Sequence, residues 1–381
     1  MKTFLKSIQI EGFKSIRSST LELRPLNVLI GANGAGKSNF ISFFKMLRAI
    51  NLGEFGYWLQ QSAGGARSIL HLNPKVTDTI SAELKYQTEQ GLMTFSFKIK
   101  HTSANDGFVF ISEQYFKSKD ELSKPDNFFL ASSGFHEVPL GGMSRNSELK
   151  KLFPHEDGAK IQGLMQQLLS RTIAYQFHDT SENAYMKLTG TLDDDVFLRS
   201  DAGNLAAVLY KLKNHHPKHY KHILKTIQLT APFFKDFVLE PNGHSIRLRY
   251  SEFGSDIVYG AHQISDGTLR FMALMTLLLQ PLEQMPSVIL IDEPELGLHP
   301  HALEVLLSIM RRVSKNRQII VSTQSVSLVD RLEPEEVIVV ERQNNESQFK
   351  RLDPQSLETW LEDYSLGELW EKNVFGGRPS R

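Results

Sequence analysis

The sequence predicts an α/β protein with a mixed, largely parallel central sheet, an antiparallel β subdomain at the N-terminal end and a helical lobe inserted between two halves. Three observations lead there. A Gly-x-x-x-x-Gly-Lys-Ser segment, Gly31 to Ser38, stands between an apolar strand and a helix. Residues 4–30 and 80–115 carry short strand-like runs separated by turn residues. From Gln263 onward, apolar runs of four to six residues alternate with helical patterns, as strands covered on both faces do.

In chain order, Phe4 to Ile10, Ser19 to Leu23 and Leu26 to Ile30 read as strands, punctuated by Gly12 and Arg24-Pro25. Asn39 to Leu47 reads as a helix, and Gly53 to Arg67, rich in glycine and glutamine, as irregular chain. Ile80–Tyr86, Met93–Lys100 and Phe108–Tyr115 read as a meander, and the polar stretch 117–148 as loop. Helical periodicity dominates Ser147–Arg171 and Gly203–Gln228. Phe237–Glu240 and Ser245–Tyr250 flank Asn242-Gly243, a hairpin turn pair. Thr268–Leu279 and His301–Val313 then read as helices, and Ser287–Ile291, Gln318–Ser322 and Val337–Glu341 as strands. These patterns divide the chain into a first half (1–116), an inserted loop-rich and helical arm lobe (117–235) and a second half (236–381).

Composition narrows the chemistry. The 381 residues balance 43 Lys and Arg against 43 Asp and Glu, so no global positive field drives nucleic-acid binding. The absence of cysteine excludes disulfides, thiolate metal sites and thiol nucleophiles. No leader-like segment opens the sequence, and the apolar region Phe271–Leu279 is too short to span a bilayer. A cytoplasmic protein without a membrane partner is expected.

The glycines of Gly31-Ala32-Asn33-Gly34-Ala35-Gly36-Lys37-Ser38 let successive N–H groups turn inward as an anion nest at a helix N-terminus. Asn33, Gly34, Gly36, Lys37, Ser38 and Asn39 are therefore the candidate nucleotide-binding residues, with Lys37 reaching the β- and γ-phosphates and the Ser38 hydroxyl on Mg²⁺. Val288 to Glu293 is an apolar strand ending in two carboxylates: Asp292 is the second candidate metal residue, and Glu293 the candidate that polarises a water. Ile264-Ser265-Asp266-Gly267-Thr268 is by itself a good helix N-cap. Placed between the loop and the acidic strand, Ser265 and Gly267 also read as a second anion site. His215, His216, His219 and His222 share a helical face, but Pro217 interrupts it and no carboxylate joins them, so a solvated surface is expected.

This order of motifs, continued by Pro294-Glu295-Leu296-Gly297-Leu298-His299-Pro300 and Ser322-Thr323-Gln324-Ser325, resembles the ATP-binding-cassette (ABC) superfamily. Gly12-Phe13-Lys14-Ser15-Ile16 is similar to its RecF/SMC-type branch. The closing Gly367-Glu368-Leu369-Trp370-Glu371-Lys372 and Gly376-Gly377-Arg378-Pro379 resemble stand-alone ATPases akin to the head of OLD-family proteins. The resemblance implies an ABC-type P-loop ATPase head that uses ATP and Mg²⁺ and hydrolyses ATP. It also implies a face-to-face homodimer or higher oligomer in which Ser265 and Gly267 of one protomer close on the γ-phosphate held by the other. Gln324 stands where the superfamily has a switch histidine and is the second candidate catalytic residue. Gln60, Gln61 and Gln114 are open candidates for the Q-loop glutamine, and Arg67 is a loop arginine for which solvation is the commoner state. Phe177-His178-Asp179-Thr180-Ser181 recurs in such relatives without an evident chemical role.

The OLD-like resemblance implies anti-phage defence. The span from Asp353 to Arg381 is too short for the TOPRIM nuclease of that family, so a separate nuclease or effector protein is the expected partner. The alternative is a RecF-like repair or recombination ATPase, with DNA or RNA as an open ligand class. A transporter cassette and a scaffold that binds ATP without turnover are the other readings.

Overall fold

The computed structural model describes residues 3–89, 91–103, 106–118, 126–130 and 156–378. β1 (Phe4–Phe13) and β2 (Ile16–Glu22) pair antiparallel. β3 (Leu26–Ile30), buried throughout, runs through the glycine loop into α1 (Lys37–Leu52). α2 (Phe55–Gln61) follows where irregular chain is expected from sequence, because Phe55 and Leu59, one turn apart, are both buried. β4 (Thr79–Thr88), β5 (Gly91–Thr102), β6 (Gly107–Ser118) and β7 (Asp126–Leu130) complete a six-stranded antiparallel sheet, ordered β2-β1-β4-β5-β6-β7.

α3 (Glu156–Ser170) leads to β8 (Thr172–Tyr175), and β9 is the pair Gly190–Thr191. The helical stretch expected over 203–228 is two helices, α4 (Leu205–His215) and α5 (Pro217–Thr230), because Pro217 cannot continue the first and is well placed to open the second. β10 (Phe234–Phe237), β11 (Ser245–Ile246), β12 (Arg249–Glu252) and β13 (Val258–Gly260) revise the expected hairpin. Asn242 and Ser245 do close a tight turn, but β11 pairs with β9 while β10 pairs with β12.

α6 (Asp266–Leu279), β14 (Val288–Asp292), α7 (Pro300–Ser314), β15 (Gln318–Thr323), α8 (Val326–Val329), β16 (Val337–Gln343), β17 (Glu346–Arg351), α9 (Pro354–Leu361) and α10 (Leu366–Glu371) complete the chain. The central sheet runs β17-β16-β3-β15-β14-β8, parallel except for β17. β8, from the span read as an inserted lobe, is thus an edge strand of that sheet. One hydrophobic core covers the α6–α7 face of the sheet, where α6 buries every residue from Phe271 to Leu279. A second core lies between α1 and the antiparallel sheet, with Phe40, Phe43 and Phe44 at its centre. Register sets the ends of the strands level: Thr323 lies beside Ile30, Ser322 beside Asp292, and Ile291 beside Tyr175.

Candidate nucleotide site

Because the strands are parallel and level, residues that follow β3, β15, β14 and β8 emerge at one edge of the sheet. They are the glycine loop, Gln324, Glu293 and Gln176. Gly36, at φ 118°, caps α1 in a conformation L side chains rarely adopt, and a Cβ there would collide with the Ser347 hydroxyl. Lys37 is buried, and its ammonium donates to the carbonyls of Gly31 (2.6 Å) and Ala32 (3.1 Å). Burial lowers its pKa, and the carboxylates of Glu293, Asp292 and Glu295 oppose that shift.

The side chain of Asn39, read from sequence as nucleotide-binding, is occupied behind the loop. Its amide donates to Ser15 Oγ (2.6 Å), Ser15 lies 2.6 Å from Ser347 Oγ, and Ser347 donates to the carbonyl of Ala35 (2.6 Å). Since Asn39 and Ser347 both act as donors, Ser15 donates to Ser347, and the chain braces the loop. The outer side of the loop is tied to the Gly376-Gly377 segment: the Ala32 N–H donates to the carbonyl of Gly377 (2.7 Å), whose own N–H donates to Glu341 (2.8 Å).

Asp292 is buried at the end of β14, and its carboxylate accepts from Ser322. Glu293 adopts φ 44°, an uncommon value for a side-chain-bearing residue, and accepts from the amide of Gln324 at 2.7 Å. The two candidate catalytic residues therefore meet. Ser38 is exposed and lines, with Asp292 and Gln176, a cavity of about 510 Å³. Hydroxyl and carboxylate oxygens on one cavity are the hard donors Mg²⁺ takes, so this pair fits the ion. Among the described residues no cluster of three His, Asp or Glu forms another metal site.

Several neighbours carry no motif of their own. Lys45 donates to Gln176 Oε1 (2.8 Å), Gln176 Nε2 to His178 Nδ1 (3.1 Å), and His178 Nε2 to the Asp292 carbonyl (3.0 Å). This relay gives the Phe177–Ser181 segment a structural purpose. Of the glutamines considered from sequence, Gln60 and Gln61 are exposed around the end of α2, and the side chain of Gln114 lies outside the described residues. Gln176, not considered there, is the one beside Asp292. Arg67 pairs with Asp106 at 3.2 Å. Glu295 is buried, accepts from Thr323, and has its second oxygen without a partner among the described residues. Burial pushes its pKa up to about 7.

Ser265 and Gly267 stand apart from this group. Ser265 is exposed and caps α6, its hydroxyl accepting from the Thr268 N–H (3.2 Å). Gly267 packs on Gly297, whose carbonyl occupies the space a Cβ would need. One turn along, Arg270 donates to the carbonyls of Phe177 (3.1 Å), His178 (2.9 Å) and Leu296 (3.2 Å) and to Thr180 Oγ1 (3.1 Å). A single guanidinium thus joins the start of α6 to the loops that leave β8 and β14.

A protein-family profile described as "AAA domain, putative AbiEii toxin, Type IV TA system" matches residues 26–330, a span that holds the glycine loop, Ser265, Gly267, Asp292, Glu293 and Gln324. The chain belongs to this family of AAA-domain ATPases. Two solved structures share the fold of this AAA-domain protein. The Smc head bound to the C-terminal winged-helix domain of ScpA aligns with TM-score 0.59 at 12% identity, over 93% of this chain and 99% of that one. An Smc head with an extended coiled coil, bound to the C-terminal domain of ScpA derived from Pyrococcus furiosus, aligns with TM-score 0.59 at 12% identity, over 95% and 99%. No curated protein matches the sequence. The AAA-domain chain is therefore an ATPase of this family built on an SMC-head fold, and among its described residues no helix is long and apolar enough to cross a membrane.

Proposed function

We propose that this protein binds and hydrolyses Mg-ATP and uses the γ-phosphate to clamp two copies of itself face to face. The reading rests on one observation: Glu293 and Gln324 meet at 2.7 Å at the sheet edge that also carries Lys37, Ser38 and Asp292. Asn33, Gly34, Gly36 and Lys37 hold the triphosphate through loop N–H groups and the ammonium. Ser38 and Asp292 hold Mg²⁺, which when bound neutralises phosphate charge. Glu293 accepts the proton of the attacking water, and Gln324 orients the Glu293 carboxylate. Gln176 takes the place sought for the Q-loop glutamine, reporting the γ-phosphate to His178 and Arg270.

Ser265 is exposed and Gly267 half-buried at the start of α6, where a second protomer could present its nucleotide. A neutral Gln324 cannot carry the charge of a histidine, which suits slow turnover. We propose further that the switch serves anti-phage defence by engaging a separate nuclease or effector protein. That Smc heads of this fold bind ScpA supports a protein partner at such a head. The boundaries 1–116, 117–235 and 236–381 are proposed as units of sequence order only, since β6 and β10 cross them and β8 joins the central sheet.

Glu293→Gln, which keeps the hydrogen bond but not the base, tests the clamp. With Mg-ATP this variant is expected to run as a dimer in light scattering while the parent runs mostly as a monomer. A variant that stays monomeric at saturating ATP would overturn the face-to-face reading.

A further inference from the structure

The edge of the central sheet opposite the nucleotide site carries a second concentration of positive charge. Arg171 precedes β8, Ser287 precedes β14 and Arg317 precedes β15, and backbone hydrogen bonds stitch these starts together. The Ser287 N–H donates to the Arg171 carbonyl (2.8 Å), and the Gln318 N–H to the Ser287 carbonyl (2.9 Å). Between them opens a cavity of about 270 Å³, lined on its polar side by Arg171, Arg317, Ser287 and Glu283 and elsewhere by the apolar Met93, Leu164 and Leu168. Neither guanidinium is a loose surface group. Arg317 is 8% exposed and donates to the carbonyls of Asn316 (3.0 Å) and Leu282 (2.7 Å). Arg171 donates to the carbonyls of Glu283 (2.9 Å) and Met285 (2.6 Å), and its Nε–H is buried without a partner among the described residues.

Two planar forks fixed by backbone carbonyls at one cavity are pre-ordered for an oxyanion. Burial lowers the pKa of Arg317 and the like charge of Arg171 lowers it further, Glu283 offsets part of this, and a bound anion would offset more. The cavity lies just below the range of about 300–1,000 Å³ usual for drug-sized ligands, which selects a small molecule. We propose that Arg171 and Arg317 form a second anion site, for a small phosphate-bearing ligand, at the sheet edge opposite the nucleotide. The three strands that begin at this cavity end at Tyr175, Asp292 and Thr323, about 13 to 20 Å away at ~3.3 Å per residue. A ligand that draws the two arginines together thus acts on the strands that carry the catalytic residues, and the site is placed for an effector.

Binding is measured by calorimetry at fixed ionic strength on the full chain carrying Lys37→Ala, so that the loop competes least. Inorganic phosphate and AMP serve as separate probes, and the tighter of the two names the source. Adding Arg171→Gln is expected to weaken binding at least tenfold. Arg171→Lys, which keeps charge but not the fork, is expected to fall between. Glu283→Gln, which removes the lining carboxylate, is expected to tighten binding about threefold, and it carries the test if Arg171→Gln fails to fold. Binding that neither Arg171→Gln nor Glu283→Gln changes, or no binding to the Lys37→Ala chain, overturns the site. Binding at this site does not depend on the ATPase reading, since it is read in a chain whose loop lysine is already gone; only the effector role rests on that reading.

Discussion

The two six-stranded sheets solve the same burial problem in opposite ways. The antiparallel sheet keeps one face wet: β4 alternates buried and half-buried residues along its length, and Ser81, Glu83 and Lys85 pair with neighbours on or beside the exposed face. In the central sheet β14 and β15 are buried at every position, so polar groups collect at strand ends instead. A sheet covered on both faces has nowhere else to put chemistry. The lesson is that covering a sheet concentrates function at its edges, whereas one wet face disperses polar residues over a surface.

Substitutions in the two sheets should therefore differ in kind. Lys37→Ala removes the charge from the loop that ends β3 and is expected to weaken ATP binding about a thousand-fold, about 4 kcal/mol, in a calorimetric titration. Unchanged affinity would mean the central edge does not hold the nucleotide. Glu295→Gln probes the one strongly shifted carboxyl at that edge. Its folded pKa, about 7, lies above the unfolded 4.5, so the native state holds the extra proton. Stability is then full at low pH and falls as pH rises from about 4.5 to 7, by up to about 3 kcal/mol. Urea denaturation at pH 5 and pH 8 should show this loss in the parent and a flatter profile in the variant.

Arg270→Gln cuts the ties between α6 and the loops after β8 and β14. We expect turnover about tenfold lower in a phosphate-release assay, with ATP affinity within threefold of the parent, because the residue joins site loops without belonging to the loop cradle. Equal losses in affinity and turnover would place it in nucleotide binding instead. Glu83→Ala, on the wet face of the antiparallel sheet, is expected to shift stability by less than about 0.5 kcal/mol and leave turnover unchanged. A tenfold loss there would erase the contrast between the sheets.

The sequence shows these regions unevenly, for physical reasons. The glycine loop, Asp292-Glu293 and the capped start of α6 are contiguous, so their residue types and spacing carry the message. Gln176 could not be read the same way. It follows a strand of four residues, too short to display an alternation, and its neighbour Asp292 comes from a segment more than a hundred residues later. Arg270 looks like an ordinary helical arginine until three remote carbonyls are placed around it. Asn39 runs in the other direction: its position in the motif suggests a ligand contact, and only the structure shows that its side-chain amide donates to Ser15. Parallel pairing creates such neighbours without leaving a local trace.

The bond between the Ala32 amide and the Gly377 carbonyl joins points more than three hundred residues apart. During synthesis the loop leaves the ribosome long before its partner, and this contact waits until residue 377 has emerged. A nascent chain therefore completes this wall of its glycine loop only after residue 377 has emerged, and a product truncated before Gly376 would lack it.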